Sequence, residues 1–241
     1  MDYDFRLCKA CAQQRGTARY RIGDRFQIYV CGACGFHYID HLDDLEALSR
    51  RTLDSVDRAA AFEYVETRLQ YDPERAPSRV RLLSRLRPLT GARCLDIGAG
   101  GGLFLDLMRR RGAEPYGIEP DPVRRLYARE RHALELRAEP VENAVWQGTF
   151  HDVFDFVTLW DVLEHVNFPI ATLDAALALV KPGGWLVLDT PTRESAYHRL
   201  SVWSYRLSGG RVPLFLPLLY SDGPFAHKQI LSSRDLRAYA K

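Results

Sequence analysis

The 241-residue chain has no long apolar run. Its longest, residues 212–220, is interrupted by Pro213 and Pro217, and it falls far short of the roughly 20 apolar residues that a membrane-spanning helix needs. The amino terminus, Met-Asp-Tyr-Asp-Phe-Arg, lacks the apolar core of a secretory leader, so no membrane span and a cytoplasmic location are expected. An excess of one charge sign is missing too. The 33 basic residues face 31 acidic ones for a formal net charge of +2, and no whole-molecule field calls for a polyanionic partner. Lysine is rare, restricted to Lys9, Lys181, Lys228 and Lys241, and this bias carries no functional weight. Internal repeats and low-complexity tracts are absent. The length suits one mid-sized α/β domain with a small appendage rather than two full domains.

Cysteine is also sparse, and five residues argue against a disulfide scaffold. Four of them form two tight pairs, Cys8-Lys-Ala-Cys11 and Cys31-Gly-Ala-Cys34, separated by 19 residues. Two intervening residues let both thiolates of one turn face a single ion, and a second such turn completes a tetrahedral shell, the spacing of a zinc ribbon. Four protein ligands leave no open position, so a zinc held here would be structural. The other reading is a pair of reduced or redox-active dithiols. Residues 18–22 and 25–30 alternate like the strands of a hairpin, with Gly23-Asp24 at its turn.

Residues 1–40 are therefore expected as the ribbon and 41–90 as a helical connector, where Leu42, Leu45, Leu48, Phe62 and Val65 and then Val80, Leu83 and Leu86 recur at helical spacing. From 91 to 241 the pattern alternates. Strands are expected at 93–97, 114–119, 134–136, 154–160 and 185–189, and helices at 102–111, 121–131, 170–180 and 234–240. Lys181-Pro-Gly-Gly184 is expected as the turn that closes the third of these helices. This order implies a doubly wound, mainly parallel α/β sheet, whose ligands sit at the carboxyl ends of the strands.

The functional candidates follow those ends. Asp96-x-Gly98-x-Gly100-x-Gly102 sits where a strand enters a helix, and glycines there let backbone approach a ligand closely. The nicotinamide fingerprint Gly-x-Gly-x-x-Gly fails in both frames, because Leu103 and Leu105 occupy the required glycine positions. Glu119 closes the next strand, where a carboxylate can accept ribose hydroxyls or simply cap a helix.

Four ordered segments carry a specific resemblance. Leu95-Asp-Ile-Gly-Ala-Gly-Gly-Gly, Gly117-Ile-Glu-Pro-Asp, Phe154-Asp-Phe-Val-Thr-Leu-Trp-Asp-Val-Leu-Glu-His-Val and Leu179-Val-Lys-Pro-Gly-Gly-Trp-Leu-Val-Leu-Asp-Thr-Pro resemble the motifs of class I S-adenosylmethionine-dependent methyltransferases. The match covers about residues 93–240 and points to the branch that methylates small molecules, sugars and biosynthetic intermediates, where a zinc-ribbon front end also occurs. The resemblance implies S-adenosylmethionine as cofactor, with Gly98, Gly100 and Gly102 beneath its methionine part and Asp96 near its amino group. It further implies Glu119 on the ribose, Glu139 near the adenine, and Trp160 with Asp161 on the methionine side.

The resemblance also makes His165 and His227 candidates for a general base. Each has a positioning role as its alternative, since a base is needed only if the acceptor must lose a proton. Residues 190–227, rich in large apolar groups, are expected as a lid over a small-molecule acceptor, against the reading of a satellite core under a long loop. Two further sheet strands usual in the family do not follow residue 241. The expectation is therefore a longer gene product, or a homo-oligomer or partner chain covering the edge strand. Two other readings remain. One is an RNA methyltransferase docking through the ribbon, whose first 34 residues hold six basic and three acidic side chains and whose Phe26, Tyr29 and Phe36 could stack on bases. The other is a methyltransferase-like binding module without catalysis.

Overall fold

The computed structural model describes residues 3–49, 57–68 and 72–239. Residues 50–56 and 69–71, part of the expected helical connector, and 240–241 lie outside the described residues. In chain order the elements are β1 (Gly16–Ile22), β2 (Phe26–Cys31), β3 (His37–Ile39), α1 (Leu45–Ser49), α2 (Arg58–Arg68), α3 (Asp72–Leu86), β4 (Arg93–Ile97) and α4 (Leu103–Arg110). Then follow β5 (Glu114–Ile118), α5 (Pro122–His132), α6 (Ala144–Thr149), β6 (Phe154–Trp160), α7 (Pro169–Ala178), β7 (Val180–Asp189), α8 (Ala196–Leu207), α9 (Leu216–Leu219), β8 (Gln229–Ile230) and α10 (Ser233–Tyr239). They form two compact units, each with its own four-stranded sheet.

The first unit, Asp44–Trp160 with Leu173–Leu188, carries the sheet β5-β4-β6-β7. β4 lies parallel to both β5 and β6, with Leu95 opposite Tyr116 on one side and Val157 on the other. All seven residues of β6 are buried, as a strand covered on both faces must be. Asp155 is tolerated inside it because its carboxylate takes the Arg93 amide at 2.8 Å and pairs with Arg87 and Lys181. Burial pushes this carboxyl up, but Lys181, the Arg93 amide and Arg87 together hold it below the usual range. Val80 and Leu83 of α3 and Phe104, Leu105 and Met108 of α4 pack with Phe156 in one core. α5 starts on Asp121, whose side chain accepts the Val123 amide at 2.8 Å, with Pro122 at the first helical position.

Two expectations are corrected in this unit. The strand expected at 134–136 reduces to one parallel bridge at Arg137, which donates to Gly117 and accepts from Glu119, both at 2.9 Å. The Lys181-Pro-Gly-Gly184 turn is the first part of β7 instead. Gly183 takes φ +77°, and a Cβ on Gly184 would stand 2.9 Å from the Phe154 carbonyl, so only glycines bring this strand so close to β6.

The second unit, Met1–Asp43 with Asp161–Thr172 and Asp189–Lys241, carries the antiparallel sheet β1-β2-β3-β8. The expected hairpin is present, with Ile22 opposite Phe26 across the Gly23-Asp24 turn. β8 pairs with β3, Ile230 facing His37, and ties the far end of the chain to the ribbon strands. Leu216 and Tyr220 are fully buried among Tyr20, Phe26, Ile28 and Ile39. This part of residues 190–227 is therefore core, because its apolar groups complete the ribbon sheet. Phe26 and Phe36 are buried as well, at 4% and 1% exposure, which leaves neither ring free to stack on a base. Among the described residues no helix is long and apolar enough to cross a membrane.

Phe156 lies at the centre of the first core with no exposed surface. Phe156→Ala should lower unfolding free energy by about 3–5 kcal/mol, read as a fall in urea midpoint at unchanged m-value. A loss under about 1 kcal/mol would contradict this packing.

Candidate functional site

In the first unit the glycine loop hangs between the ends of two parallel strands. Gly98, Gly100 and Gly102 all adopt positive φ, at +75°, +56° and +85°. The Gly98 and Ala99 amides donate to the Ile118 carbonyl at 2.8 and 2.9 Å. Gly102 caps α4 without a side-chain partner, and a Cβ there would come 3.0 Å from Leu134 and 3.1 Å from Ala128. Glu119, 2% exposed, accepts the Gly100 amide at 2.8 Å through one oxygen and the Asp121 amide at 2.9 Å through the other. Burial raises its pKa above the usual carboxylate range, while Arg124 and these amides favour the charged form. Asp96 is buried at the end of β4 and accepts the Thr158 hydroxyl at 2.6 Å.

Trp160 ends β6 with its ring edge-on to Phe104 at 5.6 Å and the Arg79 guanidinium 4.8 Å above it. Its indole N–H is buried without a hydrogen-bond partner among the described residues. A glycine loop that only backbone can line, an uncapped helix start and this orphaned donor together fit a cofactor with an extended polar chain. Glu139 follows the Arg137 bridge. Its side chain is exposed in the turn before α6, and its carbonyl accepts the Trp146 indole N–H at 3.0 Å.

In the second unit Asp161 follows Trp160 at φ +53°, its amide donating to the Asp189 carboxylate at 2.7 Å. His165 and His227 meet with ring centroids 4.7 Å apart. His227 Nδ1 lies 3.2 Å from the Leu219 carbonyl, so it carries the proton and Nε2 keeps its lone pair. Burial lowers the pKa of His227, and burial together with the neighbouring His227 brings His165 down to about 4, so both rings are neutral at physiological pH. Glu164 joins them, with Oε1 3.9 Å from His165 Nε2. It is fully buried, burial pushes its carboxyl up to about 8, and its other oxygen accepts the Thr190 hydroxyl at 3.0 Å. Ligand atoms of Glu164, His165 and His227 lie within 4.8 Å of one another, a set that can pass a proton or hold a cation.

Two supporting residues give no signal in the sequence. Lys228 has no exposed surface, and its ammonium is saturated by the Asp43 carboxylate at 3.2 Å and the Gly223 and Ala226 carbonyls at 2.8 and 3.1 Å. Gln229 donates from its side-chain amide to the Leu163 and Val166 carbonyls, both at 2.6 Å, fixing the loop that carries Glu164 and His165. Glu164 itself was readable only as an acid in the apolar run Val162-Leu163.

The four ribbon cysteines converge. Cys8 and Cys34 Sγ are 3.7 Å apart, as are Cys11 and Cys31 Sγ, and all four sulfurs lie within 4.8 Å of one another. Four thiolates bound at about 2.3 Å to one tetrahedral ion would stand about 3.8 Å apart. The Ala10 and Ala33 amides approach Cys8 and Cys31 Sγ at 3.4 Å, the same contact repeated in both turns.

A parallel sheet with a glycine loop after one strand and a buried acid closing the next defines the class I methyltransferase fold. Residues 65–240 match the sequence profile of the family described as "Methyltransferase domain", and the chain belongs to that family. The fold agrees with the solved structure of an S-adenosylmethionine-dependent methyltransferase from Archaeoglobus fulgidus, at TM-score 0.53 and 18% identity over 74% of this chain and 72% of that one. It also agrees with a chain of the complex between the Haloferax volcanii Trm112 methyltransferase activator and a methyltransferase, at TM-score 0.51 and 18% identity over 82% of this chain and 74% of that one.

In sequence the chain is similar to ubiquinone biosynthesis O-methyltransferases. The protein of Paracidovorax citrulli is 33% identical over 141 residues, 57% of this chain and 59% of that protein. The Xanthomonas oryzae pv. oryzae protein is 39% identical over 131 residues, 52% of this chain and 54% of that protein. The chain thus spans little more than half the length of these curated relatives.

A carboxyl with a raised pKa favours the folded state only while protonated. Stability from Glu164 is complete below its unfolded pKa, about 4.3, and is lost as pH rises toward about 8. Glu164→Gln should therefore be more stable than the parent at pH 8 and indistinguishable from it at pH 4, read by thermal or urea unfolding. Equal stabilities at both pH values would contradict a neutral, buried Glu164.

Proposed function

We propose that the protein transfers the methyl group of S-adenosylmethionine to a hydroxyl of a small-molecule acceptor. The observation that carries this reading is the half-buried, neutral His227, anchored through Nδ1 on the Leu219 carbonyl so that Nε2 is left as a base. Similarity to O-methyltransferases supports an oxygen acceptor over carbon or nitrogen.

Bound at the glycine loop, S-adenosylmethionine would supply an electrophilic methyl on sulfur. Gly98, Gly100 and Gly102 would lie beneath its methionine part, Asp96 would take its ammonium, Glu119 its ribose hydroxyls, and the free indole N–H of Trp160 a polar atom of its chain. The acceptor hydroxyl becomes a competent nucleophile only as it loses its proton, and His227 is a residue whose Nε2 is chemically able to take one. His165 packs on the His227 ring and sets its orientation, while protonated Glu164 keeps negative charge away from the pair.

The four ribbon thiols would hold one structural zinc, their spacing being that of a tetrahedral sulfur shell. The sugar or sugar-nucleotide acceptors implied by the sequence resemblance stay within this reading as members of the small-molecule class.

S-adenosylhomocysteine should bind the full chain by calorimetry, and Asp96→Ala should weaken that binding by about tenfold or more. No heat at about 1 mM ligand would remove the reading. His227→Asn should keep that binding and lower kcat toward a phenolic or sugar hydroxyl acceptor by about 10²–10⁴-fold. An activity equal to the parent would assign the base elsewhere. Reduced protein should carry one zinc per chain by metal analysis, and Cys34→Ser should lose the metal and melt at lower temperature.

A further inference from the structure

A cleft of about 990 Å³ lies within the ribbon-bearing unit, between α8 and the strands β1 to β3. Its charged lining is of one sign. Arg19, Arg193, Arg199, Arg206, His37 and His198 border it, with no aspartate or glutamate among the lining residues. Arg193 is committed, donating to the Asp235 carboxylate at 2.9 Å and to the Gly35 carbonyl at 3.0 Å. Among the described residues Arg206 donates to the Tyr20 hydroxyl at 3.2 Å and makes no ion pair. Arg19 and Arg199 are exposed and make no ion pair among the described residues. His37 Nδ1 is buried with no hydrogen-bond partner among the described residues.

Arg19, Arg199 and Arg206 border one cleft with no ion-pair partner among the described residues, and an anion that they share would stabilise the arrangement. Guanidinium groups present paired N–H donors that match phosphate oxygens, and three such arginines exceed what one carboxylate can neutralise. Burial, with Arg193 adding to it, brings the pKa of His37 down to about 3, and that of His198 to about 4, so near neutrality both imidazoles are neutral, His198 Nε2 is taken up by the Tyr220 hydroxyl at 3.2 Å, and the arginines carry the charge.

The rest of the lining is aromatic. Trp203 stands 62% exposed on α8, one turn after Arg199 and one turn before Arg206, with Tyr20 and Tyr205 packed edge-on at 5.3 Å beside them. An indole left in solvent beside these arginines suits a planar ring linked to the anion. The volume is that of a site for a whole small molecule rather than for a bare ion. We infer that this cleft binds a phosphorylated ligand carrying a planar ring, a nucleotide in its simplest form. The inference is independent of the methyl-transfer reading, because the glycine loop belongs to the other unit and no lining residue comes from it.

The test uses the full zinc-loaded chain titrated with UDP, with pyrophosphate and uridine as part-ligands, followed by calorimetry and by Trp203 fluorescence. The expected result is saturable UDP binding below about 1 mM, tighter than either part-ligand and unchanged by saturating S-adenosylhomocysteine. Arg199→Ala and Arg19→Ala, both exposed, should each weaken UDP by at least about tenfold, and Trp203→Phe should remove the fluorescence change. Failure to bind UDP, binding untouched by both arginine variants, or displacement by S-adenosylhomocysteine would overturn the inference. Tight binding of a single-stranded RNA without binding of UDP would overturn it in favour of a nucleic-acid surface. Failure of the methyl-transfer reading would show instead as loss of S-adenosylhomocysteine binding with UDP binding intact.

Discussion

A single buried carboxylate holds the glycine loop in place. Glu119 takes the Gly100 amide with one oxygen and the Asp121 amide with the other, joining the turn after β4 to the start of α5. Without it the loop would keep the Gly98 and Ala99 amides on the Ile118 carbonyl and the Gly102 amide on the Ala99 carbonyl, and three glycines at positive φ have no side chains to restrain them. Burial makes ionisation costly, so the acid persists only because two amides and Arg124 surround it. The parallel register that sets β5 beside β4, Gly117 against Asp96, brings these groups within reach.

The ribbon-bearing unit solves a similar problem with the opposite charge. Lys228 is sealed from solvent, and its three donors are met by Asp43 and two carbonyls. Such a pair is weak evidence for stability but good evidence for position, because removing either partner strands a charge. It holds the segment that carries His227, while Gln229 holds the loop that carries His165. Glu164, protonated among these groups, escapes the cost of a buried charge by giving it up. The neutral histidines beside it follow the same rule, so the two rings carry no positive charge at physiological pH.

Much of this was legible in the chain because local chemistry decided it. The hairpin with Gly23-Asp24, β6 over residues 154–160 and the start of α5 at Asp121 follow from turn residues, apolar runs and a capping side chain. The convergence of four thiols followed from spacing alone. The misreadings arose where a neighbour overrode local pattern. Lys181-Pro-Gly-Gly184 looks like a turn and is strand, because β6 accepts a backbone that only glycine permits. Leu216 and Tyr220 look like part of a lid and are core, because the ribbon sheet needs a cover.

The family resemblance made His165 and His227 candidates, and by itself the sequence determined which other groups could do chemistry: the glycine turn with Asp96 and Glu119, and the two cysteine pairs. These are short-range patterns in which residue type and spacing set the possible ligands. The tertiary structure alone decided that His165 and His227 touch, that Glu164 stands beside them neutral, that Lys228 is locked on Asp43, and that arginines from β1 and α8 border one cleft. The physical reason is that charge state depends on burial and on partners distant in the chain, and neither is written in spacing.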